Sequence, residues 1–515
     1  MSISNVFILL SFIVSASCLK ILGVFPFTGR SHFLIFEPLL VELSKRGHDV
    51  TVMSSFPLQI PPPGYTDVYL PVHPGGEDLI AFDNVTLTRF YKYFTPNRCR
   101  ESTKHRCEFL LSTEEYRDFL HIDNKFDVIV SEYFIFNCHL TPVVKKFKVP
   151  FVLIQTTTFI PWANQWAGNP DNPAYIPNWA MDYSIRLHFL ERLENTLLWV
   201  YNNFYYNYVM DVQEQRMYLK YAGVDADYPY DMMQNTSMFL VYTHFTIHGS
   251  RPFVPNVAEV GGMHIGTKKP LPMHLEKWIN ESEHGVIYFS LGSMIKGHTF
   301  PEEKKQMFIN AFNRLPQRVL WKWENETMSG KTDNIMIEKW MPQFDILCHP
   351  NVKVFIAHGG MLGVTEAVHC GVPMVIMPQF GDQFTNAKAV EANGGGVILD
   401  YRYLDEESIY NSLTTALDPK FNKKAKELSA RFKDRPLPPL ETAIYWIEYV
   451  ARHGGAPHLK TAAVGMPLYQ YLLLDVIAFL AVIFFSIIFI VYYISRAILR
   501  KLCGCRQSAQ KLKKN

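Results

Sequence analysis

The stretch from Phe355 to Glu366 restricts the folds open to this chain more than any other. An apolar run, Phe355-Ile356-Ala357, stops at His358-Gly359-Gly360, and Met361-Leu362-Gly363-Val364-Thr365-Glu366 follows at helical spacing. This is a strand delivering its carboxyl end into a glycine-rich turn and a helix start, the unit from which doubly wound parallel sheets are built. Glycine lets backbone amides approach a ligand closely, and the helix start carries roughly half a positive charge. The combination forms a diphosphate cradle. His358 adds a hydrogen-bonding group to it, and Glu366, a turn into the helix, suits paired ribose hydroxyls. Asp382 and Gln383 open the next helix, and carboxylate plus amide is a natural pair for hexose hydroxyls.

The rest of the chain supplies two blocks of that architecture. In the first, Leu19 to Pro26 reads as a strand, Thr28-Gly29-Arg30-Ser31-His32 as a turn and Phe33 to Lys45 as a helix. Further strands are expected at Asp49–Met53, Phe126–Val130 and Pro150–Ile154. Residues from about Trp162 to Tyr230 break the rhythm and look like helices inserted around a pocket. Pro252 to Pro272 is rich in Pro and Gly and reads as a linker. The second block alternates strands at Gly285–Ser290, Arg318–Lys322, Val352–Ala357 and Pro373–Met377 with helices at Glu302–Leu315, Gly363–Cys370 and Asn386–Asn393. Amphipathic Glu441–His453 is expected to close this domain against the first. The expected organisation is therefore a first domain at 19–251, a linker at 252–272 and a second domain at 273–455, facing each other across a cleft, with strands parallel and covered on both faces.

The two ends place the chain. Val6 to Val14 is apolar and is followed by Ser15-Ala16-Ser17, the form of a cleaved signal peptide over residues 1–18. After a juxtamembrane segment at 456–475, Val476 to Ile494 is long and apolar enough to span a bilayer as a helix. The tail, 495–515, carries Arg496, Arg500, Lys501, Arg506, Lys511, Lys513 and Lys514 with no acid, which marks the cytoplasmic side. The topology expected is a luminal body, one crossing with Asp475 at its luminal edge, and a short basic tail. Lysines third and fifth from the end resemble a retrieval signal for the endoplasmic reticulum. Sequons at Asn84, Asn235, Asn280 and Asn325 fit a luminal body. Cysteine is sparse, so no disulfide framework is expected; Cys99 and Cys107 are close enough to pair in an oxidising lumen or to stay free. Cys503 and Cys505 lie where palmitoylation would place them, or are idle thiols. The net charge of +2 gives no electrostatic reason to expect nucleic acid as a partner.

The ordered set Trp340-Met341-Pro342-Gln343, His358-Gly359-Gly360, Glu366, then Phe380-Gly381-Asp382-Gln383 resembles the signature of the UDP-glycosyltransferase family, and the animal, especially insect, members most. The resemblance runs over most of the chain. It implies an α/β GT-B fold of two Rossmann-like domains facing a cleft, plus one C-terminal transmembrane helix, and transfer of a hexose from a UDP-sugar to a small acceptor. Carried over by position, it implies that Trp340 stacks on uracil with Gln343 beside it. Ser293 and His358 face the phosphates, Glu366 binds ribose, and Asp382 and Gln383 bind the sugar. Many relatives have Asn where this chain has Leu362, which shifts the phosphate cradle onto Gly360, Gly363 and Thr365. No cofactor is implied, because the UDP-sugar is a co-substrate. Relatives often self-associate, so the resemblance allows a homo-oligomer.

Transfer to a hydroxyl needs a base, and a histidine suits that near neutral pH. His32, at the tip of the first strand, matches the family's catalytic His. A carboxylate should fix its tautomer; the strand Phe126-Asp127-Val128-Ile129-Val130-Ser131-Glu132 brings Glu132 to that position, whereas Asp127 belongs at the strand start, away from the cleft. Direct displacement with inversion and without a metal is expected. Asp225-Ala226-Asp227 has the form used by metal-dependent transferases but lies far along the chain from the phosphate loop. Relatives that transfer glucuronate tend to carry Arg near the position of Tyr242, so its absence favours UDP-glucose. Aromatic residues make up 14% of the chain, and the insert around Trp162, Trp166, Trp179 and Tyr183 suggests a small lipophilic hydroxylated acceptor. The competing readings are a non-catalytic, membrane-anchored ligand binder, a nucleotide-sugar epimerase, and an enzyme that glycosylates a membrane lipid.

Overall fold

The computed structural model describes residues 18–73, 80–81, 91–134, 137–183, 186–221 and 228–512. The signal segment before Cys18, the sequon at Asn84, the Asp225-Ala226-Asp227 motif and the last three residues lie outside these. Residues up to Thr461 form one unit and residues from Ala462 a second.

The first unit is built on two parallel sheets. Strands β1 (Lys20–Phe25), β2 (Asp49–Ser54), β3 (Tyr65–Tyr69), β4 (Val128–Glu132), β5 (Phe151–Gln155), β6 (Met238–Val241) and β7 (Val257–Glu259) make a seven-stranded sheet in the order β3-β2-β1-β4-β5-β6-β7. Strands β8 (Val286–Ser290), β9 (Arg318–Lys322), β10 (Ile335–Glu338), β11 (Val352–Ala357), β12 (Met374–Ile376) and β13 (Gly396–Ile398) make a six-stranded sheet in the order β10-β9-β8-β11-β12-β13. Every pairing within the two sheets is parallel. The central strands β4, β5 and β8 are buried from end to end and apolar up to polar residues at their carboxyl ends, as strands covered on both faces must be. Each sheet has a separate apolar core on either face. The strand order reverses between β1 and β4 in the first sheet and between β8 and β11 in the second. Ligands of doubly wound sheets collect at such reversals, beyond the carboxyl ends of the strands.

Among the helices are α1 (Arg30–Lys45), α2 (Pro161–Ala167), α3 (Phe189–Tyr205), α4 (Gln343–Leu347), α5 (Met361–Cys370), α6 (Gln383–Ala392) and α7 (Pro439–Arg452) in the first unit and α8 (Leu474–Leu512) in the second. Three sequence expectations change. The stretch 252–272 is more than a connection, because Val257–Glu259 pairs with β6 as the last strand of the first sheet. Helix α7, although it follows the second domain in the chain, buries Ala443, Ile444, Ile447 and Val450 in a core shared with β1, β2, β4, β5 and β6. Glu448 reaches His48 at 3.2 Å, and Glu441 pairs with Arg46. The apolar face predicted for 441–453 thus completes the first domain.

The third change concerns cysteine. Cys107 pairs with Cys138, not with Cys99, and Cys348 pairs with Cys370; the Cα atoms are 6.1 and 4.8 Å apart. The pairs are 31 and 22 residues apart in sequence, so they are brought together by the fold and could not be read from spacing. Three sequon asparagines, Asn235, Asn280 and Asn325, are exposed.

The second unit contains α8. The most apolar 18 residues of its segment Leu474–Leu502 have a mean hydropathy of 3.0, and by length and composition the segment could cross a membrane. The helix continues through the basic tail to Leu512.

Candidate active site

His32 lies in the first turn of α1, which starts at Arg30, three residues before the predicted Phe33, so the imidazole stands directly over the carboxyl end of β1. Its Nδ1 is 2.5 Å from Oε1 of Glu132, the last residue of β4, whose side chain is only 3% exposed. Thr156, the residue after β5, places its hydroxyl 3.1 Å from the same Nδ1 and donates to Glu132 Oε1 at 3.0 Å. A carboxylate at Nδ1 keeps the ring proton there and leaves the Nε2 lone pair as the base. The rings of Phe27 and Phe134 flank the imidazole with centroids at 4.5 and 4.7 Å. Asp127, the competing acid, sits at the other end of the strand, where its Oδ2 accepts from the backbone of Lys20 at 2.7 Å.

Across the second sheet, two glycines make room for an anion. Gly292 follows β8 with φ +79°, a conformation that side chains resist, and a Cβ there would stand 2.6 Å from Cε1 of His358. A Cβ on Gly360, the N-cap of α5, would also strike the His358 ring. The imidazole is thus clasped between two residues without side chains. Its Nδ1 and the Ser293 hydroxyl are both shut from solvent without a hydrogen-bond partner. Burial, with the nearby Lys322 ammonium, pushes the His358 pKa down to about 4, so the ring is neutral at pH 7 and acts by hydrogen bonding.

Trp340, Gln343 and Glu366 are the residues expected to hold the nucleoside. Trp340 is 61% exposed, so its ring has a face to offer. Gln343, opening α4, donates from Nε2 to Glu366 Oε2 at 2.6 Å, and a Cβ on Gly363 would touch that same nitrogen at 3.3 Å. The other Glu366 oxygen is 3.4 Å from Nε2 of His264, whose Nδ1 is 2.5 Å from the Tyr242 hydroxyl. Thr365 is fully buried behind the cradle. The Cys348–Cys370 disulfide joins the ends of α4 and α5, the helices that carry Gln343 and Glu366.

Asp382, expected to meet the sugar, directly precedes α6 without a side-chain hydrogen bond to the helix start. Burial raises its pKa to about 6, against the hydrogen bond from Asn386 and the positive influence of His32 from the other domain. Asn386 gives its Nδ2 to Asp382 Oδ2 at 2.8 Å and to the Gly359 carbonyl at 2.9 Å, while its Oδ1 meets His248 Nε2 at 3.0 Å. Gln383 turns its Oε1 back to the amides of Gln379 and Phe380, at 2.8 and 3.2 Å. Its acceptor is therefore used within the loop.

Two expectations meet different surroundings. Trp162, Trp166 and Trp179 are 2%, 2% and 7% exposed and pack on one another and on Tyr133 and Tyr206. They are core rather than an open wall, and the aromatic rings beside the base are Phe27 and Phe134. Trp179 and Met181 also accept, through their carbonyls, from Thr385 of α6 at 2.8 and 2.7 Å, tying the insert to the sugar helix. Tyr242 is fully buried and faces His264, which in turn neighbours Glu366. Leu362, together with Met361, packs against the first domain's core.

Sequence reasoning missed Thr156, His264 and Asn386. The signal for Asn386 was its place one helical turn after Asp382; for Thr156, the run Thr156-Thr157-Thr158 at the carboxyl end of β5. His264 gave no signal, because its partner Glu366 comes from the other domain.

The model of one protein family, UDP-glucoronosyl and UDP-glucosyl transferase, matches residues 20–509. UDP-glycosyltransferase UGT5 of Dactylopius coccus is 44% identical over 507 residues, covering 96% of this chain and 95% of that protein. UDP-glucosyltransferase 2 of the same species is 40% identical, covering 96% of each. Human UDP-glucuronosyltransferase 1A10 is 35% identical, over 79% of this chain and 76% of its own length. Among solved structures, the calicheamicin glycosyltransferase CalG4 superposes with a TM-score of 0.55 at 18% identity, covering 85% of this chain and 99% of its own. The spinosyn forosaminyltransferase SpnP gives 0.55 at 15%, covering 85% and 100%. These two support the GT-B arrangement of the two sheets.

Proposed function

The chain belongs to the UDP-glucuronosyl and UDP-glucosyl transferase family, and from that premise we propose that it transfers glucose from UDP-glucose to a hydroxyl of a small lipophilic acceptor, with inversion and without a metal. The observation that carries this reading is the opposition of two half-sites. The His32–Glu132 pair stands at the carboxyl ends of β1 and β4, and the Gly292–His358–Gly360 cradle at those of β8 and β11; His32 is close enough to Asp382 to lower the pKa of its carboxyl group. In the proposed step, His32 Nε2 takes the acceptor's hydroxyl proton. The oxygen attacks the anomeric carbon, whose bond to the diphosphate oxygen breaks on the opposite face, and UDP leaves with that electron pair. Fixed dipoles at the α5 start and the neutral His358 stabilise the charge that develops there. Glu132 holds the imidazolium until the proton is released.

Trp340 is assigned to uracil, Gln343 and Glu366 to the nucleoside, and Ser293, His358, Gly360 and Gly363 to the diphosphate, with Thr365 behind them. Asp382 is assigned to the sugar hydroxyls, and Gln383 to shaping the loop that presents them. A glucose donor is favoured because Tyr242 offers no cation and because one relative is a glucosyltransferase. Two disulfides, three exposed sequon asparagines and the apolar α8 support a luminal body anchored in the endoplasmic reticulum membrane.

Microsomes expressing the chain, incubated with UDP-glucose or UDP-glucuronate and a mixed phenol and alcohol library, should add one hexose mass from UDP-glucose. A mass gain from UDP-glucuronate alone would overturn the donor assignment. Absence of UDP binding by calorimetry would overturn the enzymatic reading itself.

A further inference from the structure

Helix α3 and the π-helical turn Tyr206–Met210 that continues it present an apolar stripe that none of the described residues of the body covers. Leu193, Leu197, Val200, Phe204 and Tyr208, continuing back to Phe189, recur at intervals of three and four and are between 49% and 68% exposed. From Leu193 to Tyr208 the exposed positions include no charged residue, and Thr196 is their one polar member. The opposite face, with Asn195, Leu198, Asn202 and Asn203, is buried in the body. His188, 3.3 Å from Glu191, precedes the stripe, and Arg216 and Lys220 follow it, all exposed.

We propose that this stripe is a docking surface for a lipid bilayer, into whose interface the apolar face of α3 enters while the basic residues at its ends meet lipid phosphates. An amphipathic helix lying in the membrane plane has this make-up: a continuous apolar face ending in aromatic residues, with cations at the margins. The occupant follows from two further observations. The same chain contains Leu474–Leu502, whose most apolar 18 residues average a hydropathy of 3.0, so the apolar phase available to it is a membrane. A second copy is a poor occupant: from Phe189 to Tyr208 the stripe is about 28 Å long and about 10 Å wide, roughly a third of the ~800 Å² per partner that stable pairing buries. A lipid surface sets no such minimum, since a second attachment to a membrane already held by a span is an intramolecular event.

The test uses the full-length chain in nanodiscs loaded with one copy each. Val200 and, as control, Lys423, whose side chain is 80% exposed on the second domain, are replaced in turn by a fluorescent amino acid, and the lipid is exchanged for its brominated form. Emission from position 200 should fall at least twofold and that from 423 should not change. Leu197→Glu with Phe204→Glu should remove the quenching at 200 while calorimetric UDP affinity stays as in the parent, showing a folded chain. Unquenched emission at 200 in single-copy discs would overturn the proposal, as would shielding of that position only when two copies share a disc.

Discussion

Replacing Glu132 by glutamine removes one charge from a site where charge is created during reaction. In the proposed step the His32 ring becomes an imidazolium whose Nδ1 is 2.5 Å from a carboxylate that is 3% exposed. With charge centres about 4 Å apart and an effective dielectric near 20, the attraction is about 4 kcal/mol. At 1.36 kcal/mol per factor of ten, its loss lowers kcat about 10³-fold. Glutamine can also donate to Nδ1 and so select the ring tautomer with its proton on Nε2, which adds to the loss. The charge interacts with the transition state and not with the nucleotide, so UDP affinity by calorimetry should change less than twofold. The assay is initial-rate release of UDP at saturating donor. A Glu132→Gln enzyme retaining kcat within tenfold of the parent, with His32 intact, would refute the assignment of Glu132 as the partner of the base.

Three more outcomes are expected. The ionised Asp382 that accepts sugar hydroxyls forms only as pH rises through about 6. The affinity advantage of UDP-glucose over UDP should therefore shrink between pH 7 and 5, and Asp382→Asn should flatten that dependence. The same raised pKa acts oppositely on folding, where its contribution is present below the ordinary carboxylate value and is lost as pH rises through 6. Gly292→Ala forces a left-handed residue against the His358 ring and should destabilise by about 1–2 kcal/mol by denaturant titration while raising the Kd for UDP at least tenfold. His264→Ala leaves Glu366 held by Gln343 alone and should raise the donor KM several-fold with acceptor KM and kcat little changed; His264→Gln should restore much of it.

The parallel sheets were legible because each central strand is a short apolar run bounded by turn residues, and β9 and β11 fall where Arg318–Lys322 and Val352–Ala357 were expected. The place of His358 between strand end and helix start was legible because glycine and histidine sit together in sequence, whereas the approach of Gly292 to its ring was not. What could not be read involves partners far apart in the chain. Cys107 and Cys138 are joined by the packing of the first domain, and Glu366 meets His264 only because two domains abut. The insert misled for a related reason: tryptophan suits a ligand wall and a core equally, and only the stacking of Trp162 on Tyr206, with ring centroids at 3.4 Å, decides for the core.

Helix α7 has a consequence for anyone recombining such chains. The polypeptide passes from the first half to the second once near residue 260 and returns near 439, so two passages of chain rather than one join the halves. An exchange of acceptor halves between two family members that cuts only at the forward passage would leave Ile444 and Ile447 from one parent seated among strands of the other. Such hybrids should need the returning helix transplanted along with the half it completes.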